Sequence, residues 1–233
     1  MRLNKYLAKS GVASRRKSDH LIQLATTMVN GKVCLDPAYN VKDNDRVSYD
    51  GKYIHPIKSK IVIMLNKPKK VITTVKDTHQ RKTVMDFINS SQRLSPIGRL
   101  DKDTTGLLLL TNDGDLQQYL THPKNKIPRE YEVVIEGKME DRYIQKLKKG
   151  IYIGYKEFGK AEIIKHQTIK GRTKLNLILR QGKKREIRRI FFRLKKKLFS
   201  LKRIKFGNLS LGKLKEGEFR ELTLKEIERL YQI

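Results

Sequence analysis

The apolar residues of this chain occur in short runs, of which 61–65 and 107–110 are the most continuous. Runs of four or five apolar residues are typical of buried strands and are too short to span a bilayer as a helix. Further strand-like runs occur at 131–135, 161–164, 175–179 and 219–222, and helical patterns at 115–120, 141–148 and 186–196. A last helix is predicted after Thr223, which forms a capping-box pattern with Glu226. Because the strands and helices do not alternate strictly, this mixture predicts an α+β fold around a largely antiparallel, mixed sheet.

The N-terminal part of the chain has a pattern of its own. Apolar spacing predicts a short first helix, and Ser14 is a favourable N-cap for a second one. The pair Asn30-Gly31, which stands between apolar residues, predicts a tight β-hairpin. Residues 53–60 contain a proline among polar residues and indicate a linker. We therefore expect a small helix–hairpin domain at 1–57 and a second domain at 58–233.

The charge of the chain constrains its partner. The formal net charge is 53 Lys+Arg minus 24 Asp+Glu, or +29, which favours a polyanion. A lysine-rich composition alone would spread this charge, but residues 180–215 hold 15 Lys and Arg against one acid, Glu186. A membrane surface would favour a basic amphipathic helix with bulky apolar residues, and the chain has no Trp. Nucleic acid is therefore the better-supported partner.

The cysteine content and the N-terminus bear on the cellular compartment. The single cysteine, Cys34, excludes a disulfide scaffold and a cysteine-based zinc site. The first residues lack the apolar core of a signal peptide. We therefore expect an intracellular, cytoplasmic protein with no membrane attachment.

The most informative run is 96–114, a polar loop bounded by glycines that leads into a buried strand. Asp101 lies in this loop between two basic residues, and loops at strand ends often carry chemistry because the sheet holds them in place. From the residues alone, three roles are open for Asp101: a turn or cap residue, a magnesium ligand, or a lone carboxylate nucleophile. A magnesium site would use Asp101 with Asp103, or Asp113 with Asp115. No His or Glu accompanies either pair at ligand spacing, which disfavours the metal.

Three segments near the N-terminus follow one another in a distinctive order: Arg-Leu-Asn-Lys-Tyr-Leu-Ala (2–8), Gly-Val-Ala-Ser-Arg-Arg (11–16) and Val-Asn-Gly-Lys (29–32). In this order they resemble the small RNA-binding domain of the ribosomal S-four type, over residues 1 to about 50. The resemblance implies that the second helix and the hairpin grip structured RNA. The residues that would do so are Arg15, Arg16, Lys17, Asn30 and Lys32.

The run Gly-Arg-Leu-Asp (98–101), followed by Leu-Leu-Thr-Asn-Asp-Gly (109–114), resembles the catalytic motif of pseudouridine synthases of the RsuA/RluB/RluF family. The family's opening strand, its basic-x-Tyr-x-Val strand and its final basic motif occur in the same order, at 65–68, 129–133 and 181–191. The resemblance covers nearly the whole chain, including the S-four-type domain. It implies that Asp101 is the catalytic nucleophile and that Tyr131 packs on the target base. It further implies that Arg188 pairs with Asp101 and that Ile187 lines the uracil pocket.

The same resemblance implies the reaction and the partner. We expect an isomerase that converts uridine to pseudouridine in ribosomal RNA, with large-subunit RNA favoured. It would act as a monomer on structured RNA or a pre-ribosomal particle, without a cofactor or a metal. Arg99 would fill the space left by an everted base, and Lys183 and Arg185 would contact the RNA. Lys70 and Glu186 stand where the family favours Gly and Gln, which leaves open a catalytically silent RNA-binding or ribosome-assembly factor on the same fold.

Overall fold

The structure is a computed structural model and describes residues 1–232. The predicted α+β architecture is confirmed, since helices accompany two antiparallel sheets and one mixed sheet. The chain divides into two compact units. The first is formed by Met1–Ile61 with Ser91–Arg93 and Asn112–Gly114, and the second by the remaining residues. None of the helices within residues 1–232 combines the length and the apolar character needed to cross a membrane.

The first unit contains two helices and four short strands: α1 (Leu3–Lys9), α2 (Arg15–Gln23), β1 (Thr27–Val29), β2 (Lys32–Val33), β3 (Val47–Tyr49) and β4 (Lys52–Tyr53). The sheet order is β2–β1–β3–β4. Ser14 caps α2 as predicted, because its hydroxyl accepts the backbone N–H of Lys17 at 3.3 Å. The predicted hairpin joins β1 to β2, and Asn30 and Gly31 both adopt positive φ there. Apolar side chains from both helices and the sheet form the core: Leu3, Tyr6, Leu7, Ile22, Val29, Val41 and Val47.

The segment that follows β4 is held against the first unit. The backbone N–H of Ile54 donates to the carbonyl of Val47 at 3.0 Å, and that of Ile57 donates to the carbonyl of Lys9 at 3.0 Å. The hydroxyl of Tyr6 donates to the carbonyl of Ile54 at 3.0 Å. The first half of the segment that the sequence indicates as a linker therefore has fixed hydrogen-bond partners.

The second unit is built on one large sheet and a separate hairpin. Its strands are β5 (Val62–Lys67), β6 (Ser95–Pro96), β7 (Thr105–Thr111), β8 (Arg129–Glu136), β9 (Ile151–Gly154), β10 (Glu157–Gly159), β11 (Glu162–Ile169), β12 (Arg172–Leu179), β13 (Leu198–Phe206), β14 (Leu209–Ser210) and β15 (Phe219–Glu221). Its helices are α3 (Gly114–Thr121), α4 (Asp141–Lys149), α5 (Glu186–Arg193) and α6 (Leu224–Leu230), with 3₁₀ turns at Val84–Phe87 and Pro123–Asn125. The main sheet has the order β11–β12–β8–β13–β7–β5–β15, with β6 beside β7 and β14 beside β13, and β9 pairs with β10.

The centre of the main sheet is its parallel pair, β7 with β13, and its other described strand pairs are antiparallel. The predicted, largely antiparallel sheet is thus confirmed. Gly106 allows the parallel pair to form. A Cβ atom at this position would lie 2.2 Å from the carbonyl oxygen of Arg203, and the φ of Gly106 is +103°. The loop in front of β7 is therefore brought beside β13.

The burial of each strand explains how well its sequence pattern predicted it. All of β5 and nearly all of β7 are buried, which is consistent with their continuous apolar runs. Strands β9, β10 and β13 were not predicted, and two of the predicted elements end at other residues than expected. Helix α5 ends at Arg193 rather than at residue 196, because Lys195 adopts a left-handed φ of 54° just after it. Strand β11 continues to Ile169 instead of ending at residue 164. Most of its side chains are exposed, so the strand lacks the apolar alternation that would have revealed it.

Candidate active site

The loop that carries Asp101 leads from β6 to β7 and is fixed on both sides of that residue. The hydroxyl of Thr73 donates to the carbonyl of Leu100 at 2.8 Å and accepts the N–H of Leu100 at 3.2 Å. The N–H of Thr104 donates to the carbonyl of Asp101 at 3.0 Å. The side chain of Asp101 is one-third exposed, so its carboxylate is accessible although its backbone is held. Such a held and accessible carboxylate is suited to act on a bound molecule.

A buried lysine, Lys67, fixes the same loop by hydrogen bonds to its backbone. The side chain of Lys67, at the end of β5, is fully buried, and its ammonium donates to three backbone carbonyls. These belong to Pro68 at 2.9 Å, Lys102 at 3.3 Å and Thr104 at 3.0 Å. Burial lowers the pKa of Lys67 to about 8, opposed by the charges of Asp103 and Asp101. Two of the three carbonyls belong to the part of the loop that directly follows Asp101, so Lys67 holds the loop on the C-terminal side of the carboxylate.

Two guanidinium groups from the start of α5 face Asp101. The Nε of Arg188 lies 3.4 Å from Oδ2 of Asp101, and Nη1 of Arg185 lies 3.6 Å from the same atom. The Nη2 of Arg188 donates to the carbonyl of Asp103 at 3.0 Å and to the hydroxyl of Thr104 at 3.2 Å. The Nε–Oδ2 approach is within ion-pair distance, but its geometry is not that of a hydrogen bond. Arg188 is therefore anchored on the loop itself, with Nε facing the carboxylate.

One cavity of about 200 Å³ brings together four of the predicted site residues: Tyr131, Ile187, Arg99 and Asp101. Tyr131 is on β8 and only 8% exposed, and Ile187 is a buried residue in the first turn of α5. Asp101, Arg185 and Arg188 stand in the same wall. The cavity thus combines an aromatic and an aliphatic side chain with a carboxylate and several guanidinium groups. This combination is typical of a pocket for a planar polar ring.

Two arginines outside the predicted site residues also line this cavity: Arg203, which is buried, and Arg129, which is partly buried. Arg203 is the cross-strand partner of Tyr131, and its Nε donates to the carbonyl of Leu107 at 2.6 Å. Arg129 donates to the carbonyls of Gln181 and Leu120. Burial lowers the pKa of both arginines. Arg203 lies inside the basic cluster 180–215, so local composition could not separate it from solvent-exposed cations.

The two residues that differ from the family pattern have defined places in the structure. Lys70 adopts a φ of 66°, a conformation that glycine reaches easily, and its N–H donates to the carbonyl of Lys102 at 2.8 Å. The carboxylate of Glu186 accepts the N–H of Lys183 at 3.2 Å, and burial raises its pKa. Lys70 therefore occupies the conformation that a glycine would. The hydrogen bond that Glu186 accepts closes the turn before α5.

A larger cleft of about 1050 Å³ adjoins this cavity and shares part of its wall, including Arg129, Gly182 and Lys183. Its lining contains seven basic residues and two acidic ones: Lys126, Arg129, Lys148, Lys160, Arg180, Lys183, Lys184, Glu157 and Glu162. The Nζ of Lys183 donates to the carbonyl of Phe158 at 2.5 Å. The positive charge of this cleft suits a polyanion that continues from the smaller cavity.

The basic residues predicted for the first unit occupy its surface. Arg15, Arg16 and Lys17 are exposed on the first turn of α2, and Lys32 is exposed on β2. Asn30 is also exposed, but its side chain forms hydrogen bonds within the first unit. Its side-chain amide donates to Asp45 at 2.8 Å, and its side-chain oxygen accepts the N–H of Arg46 at 2.9 Å. The hairpin tip is thereby tied to the neighbouring loop.

Within each acidic pair considered for magnesium, the two carboxylates have different surroundings. Asp101 faces Arg185 and Arg188, whereas Asp103 is exposed. Asp113 is buried and lies 2.8 Å from the ammonium of Lys60, whereas Asp115 is exposed. Among residues 1–232, no three His, Cys, Asp or Glu side chains are grouped so that they could hold a metal ion.

The fold and the cavity define the class of protein: an enzyme in which a mixed sheet presents a carboxylate beside arginines, next to a basic cleft. Residues 61–192 match the RNA pseudouridylate synthase family, and residues 1–47 match the S4 domain. The chain therefore belongs to the RNA pseudouridylate synthase family and has an S4 domain at its N-terminus. This confirms the predicted resemblance, the predicted RNA partner and the prediction that the chain is an isomerase.

The relatives include enzymes of assigned specificity. The chain is 38% identical to the ribosomal large subunit pseudouridine synthase B of Bacillus subtilis (strain 168), over 98% of this chain and 95% of that protein. It is 35% identical to the dual-specificity RNA pseudouridine synthase RluF of Escherichia coli O6:H1, over 100% of this chain and 79% of that protein. A crystal structure of a pseudouridylate synthase superposes with a TM-score of 0.71 at 29% identity, covering 99% of both chains.

Proposed function

We propose that this protein converts a specific uridine of ribosomal RNA to pseudouridine, with large-subunit RNA as its substrate and Asp101 as its nucleophile. One observation carries the proposal. Asp101 faces Arg188 across 3.4 Å in the same cavity that Tyr131 and Ile187 line. The preference for large-subunit RNA is supported by the name of the Bacillus subtilis relative.

The reaction requires one bond to break and another to form. The bond between the sugar and N1 of uracil breaks, the ring turns, and the sugar is rejoined through C5. The hydrogen on C5 is lost and N1 gains one, so that the product is an isomer of the substrate. No electrons are exchanged with an outside group, and no atom is added. The chemistry therefore needs a residue that assists departure of the base, and a pocket that keeps the freed ring in place.

Asp101 is proposed to assist this departure, either by attack on the sugar or by stabilising the charge that develops there. Arg188 would orient the carboxylate, because its Nη2 is fixed on the carbonyl of Asp103 and its Nε faces Oδ2. Tyr131 would stack on the uracil ring, and Ile187 would close the opposite side. Each role uses a side chain that already lines the cavity.

Access to the target base requires that the nucleotide leave its stack. Arg99, exposed at the edge of the cavity, is proposed to occupy the space left in the RNA. Lys183 lies where the cavity meets the basic cleft, and it would contact the RNA backbone together with Arg185. We propose that the enzyme acts as a monomer, in the cytoplasm, on structured ribosomal RNA or a pre-ribosomal particle.

We also propose that residues 1–57 form a separable RNA-holding domain and that 58–233 form the catalytic domain. The first unit has its own core and its own hydrogen-bonded sheet. Deletion of residues 1–57 should leave a folded protein that binds its RNA more weakly, as measured by thermal unfolding and by RNA titration. A remainder that fails to fold, or that binds with unchanged affinity, would contradict this division.

The experiment that tests the proposed function is a map of pseudouridine in ribosomal RNA from cells with and without the gene. We expect at least one large-subunit position to lose its pseudouridine and to regain it when the wild-type gene is returned. Return of the Asp101→Asn gene should restore nothing. A complete map without any difference would overturn the enzymatic proposal and favour a catalytically silent factor. A difference confined to small-subunit RNA would overturn the substrate assignment alone.

A further inference from the structure

The β9–β10 hairpin and helix α5, which packs against it, expose four aromatic side chains, Tyr152, Tyr155, Phe158 and Phe192, which we call the aromatic patch. Tyr155 is 89% exposed and Phe192 is 78% exposed, and the other two are about half exposed. The rings of Tyr152 and Phe158 meet edge to face at 5.6 Å. Large aromatic side chains at this level of exposure are uncommon without a partner.

The hairpin is fastened to α5, so the patch is a fixed surface. The guanidinium of Arg189 donates to the carbonyls of Ile153, Gly154 and Lys184 and to the carboxylate of Glu157, at 2.7 to 3.0 Å. The same guanidinium lies 5.3 Å from the ring centroid of Tyr155. Arg189 belongs to the basic cluster of the sequence, but its donors are used within the protein. Its role is to hold the hairpin and to support the ring at its tip.

The tip of the hairpin has an unusual backbone for its residues. Tyr155 and Lys156 both adopt positive φ, at 54° and 57°. Two-residue turns of this kind normally contain Asn and Gly, because side chains with a Cβ disfavour the left-handed region. A tyrosine at this position gains no buried contact to offset that cost, since it is almost fully exposed. A strained and exposed aromatic residue indicates a surface that binds a partner.

The charges around the patch favour an anionic partner with aromatic rings. Arg193 lies one helical turn after Arg189, and its guanidinium is 5.6 Å from the ring of Tyr152. Glu157, the acidic residue of the hairpin, is neutralised by Arg189 at 2.7 Å. The basic cleft is also lined by Glu157 and by Lys183, whose Nζ binds the carbonyl of Phe158. The hairpin therefore stands at the border of the cleft that joins the Asp101 cavity.

We infer that the aromatic patch is a stacking platform for unpaired bases of the RNA substrate, in the segment that leaves the basic cleft. The inference rests on the proposed function for its RNA partner and adds a recognition surface outside the Asp101 cavity. Aromatic rings beside cations bind single-stranded RNA, since every base offers a face for stacking. The platform selects for an unpaired segment next to the target nucleotide, since the bases of a duplex are already stacked.

The first test uses the absence of Trp from this chain. Tyr155→Trp introduces a single fluorescent indole and keeps an aromatic ring at the tip. Short single-stranded oligouridylate should quench its fluorescence, and a duplex RNA of equal length should not. Phe219→Trp is the matched control, because Phe219 is 37% exposed on the edge strand β15 and should report no quenching. Equal quenching by both RNAs, or none with either, would overturn the proposal.

The second test measures affinity for the same oligouridylate in titrations over a range of salt. Tyr155→Ala and Phe192→Ala should each weaken binding roughly five- to 150-fold, whereas Tyr155→Phe should bind like wild type. The slope of log affinity against log salt should stay constant, because stacking releases few counterions. Unchanged affinity would overturn the proposal and leave the patch as a surface for a protein.

These binding tests are independent of catalysis. If the wild-type protein makes no pseudouridine, the proposed function fails while the fluorescence result still decides the role of the patch. If the wild-type protein is active and the patch variants bind as it does, the platform alone is refuted. Phe219→Ala serves as the control for loss of an exposed ring elsewhere in the same unit and should leave the affinity unchanged.

Discussion

Replacement of Lys67 by Met tests whether the buried ammonium holds the loop that carries Asp101. Methionine has a similar length and fits a buried site, but it cannot donate to the carbonyls of Lys102 and Thr104. Those carbonyls lie in the loop just after Asp101, so we expect the variant to bind RNA normally and to lose a large part of its kcat. A loss of affinity with unchanged kcat would contradict the positioning role.

The same variant should also change the pH dependence of the free energy of unfolding, by an amount that follows from the pKa of Lys67. The pKa of Lys67 is about 8 in the folded protein, below its ordinary value of 10.5. Between these values the unfolded chain binds more protons than the folded chain, so this lysine makes stability rise with pH. The cost of burying the charge is fully present below pH 8 and declines above it. One pH unit corresponds to about 1.4 kcal/mol, so from pH 7 to pH 9 the wild type should gain about 1.4 kcal/mol relative to Lys67→Met.

The assay is urea unfolding of both proteins at pH 7, 8 and 9, with Lys69→Met as a control from the same segment. Lys69 is exposed, so its replacement should leave the pH profile parallel to that of the wild type. The catalytic rate offers a second readout. A neutral amine has two hydrogens for three carbonyls, so wild-type kcat should fall above pH 8, and that fall should be absent in Lys67→Met. Parallel unfolding profiles for wild type and Lys67→Met would refute the reasoning.

Three further variants test the site, the electrostatics and the sheet. Asp101→Asn should lower kcat by about 10³-fold or more with near-normal RNA affinity, whereas Asp103→Asn should retain measurable turnover. Full activity of Asp101→Asn, after a check for deamidation, would refute the nucleophile. Replacement of lysines 195–197 by Gln should reduce the slope of log affinity against log salt by up to about 2, and an unchanged slope would exclude this segment from the RNA contact. Gly106→Ala should cost about 3 kcal/mol or more in urea unfolding, because its Cβ would meet a strand backbone, whereas Gly114→Ala has open space and should be nearly neutral. Equal stability of these two variants would contradict the close approach of β7 and β13.

Sequence patterns alone located the elements whose signals are local. The Asn30-Gly31 pair predicted the β1–β2 hairpin because the turn needs two residues that tolerate positive φ. Thr223 and Glu226 predicted the start of α6, and each accepts the backbone N–H of the other at 2.9 to 3.3 Å. The resemblance to the pseudouridine synthases also rests on contiguous residues around Asp101. These features depend on neighbours in the chain, and so they are readable without the fold.

The ends of some elements were not readable in this way. Helix α5 ends at Arg193 because the backbone of Lys195 turns left-handed, although the helical pattern of the sequence continues to residue 196. Strand β11 extends to Ile169 through exposed residues that show no apolar period. In both cases backbone hydrogen bonds that the apolar pattern does not report decide the end of the element. Strand β11 pairs with β12 as far as Ile169, and the N–H of Lys196 donates to the carbonyl of Phe191 at 2.9 Å where α5 ends.

The electrostatics of the site depend on the fold and could not be predicted from the sequence. Composition places Arg185, Arg189 and Arg203 in one basic cluster, but the fold gives them three different surroundings. Arg185 faces Asp101, Arg189 fastens the β9–β10 hairpin, and Arg203 is buried beside Tyr131. Lys67 likewise carries the same formal charge as the exposed lysines, but its surroundings lower its pKa to about 8. The reason is that the free energy of a charged group depends on its desolvation and on partners within a few ångströms. In this chain those partners are brought together by strand pairing across about a hundred residues of sequence.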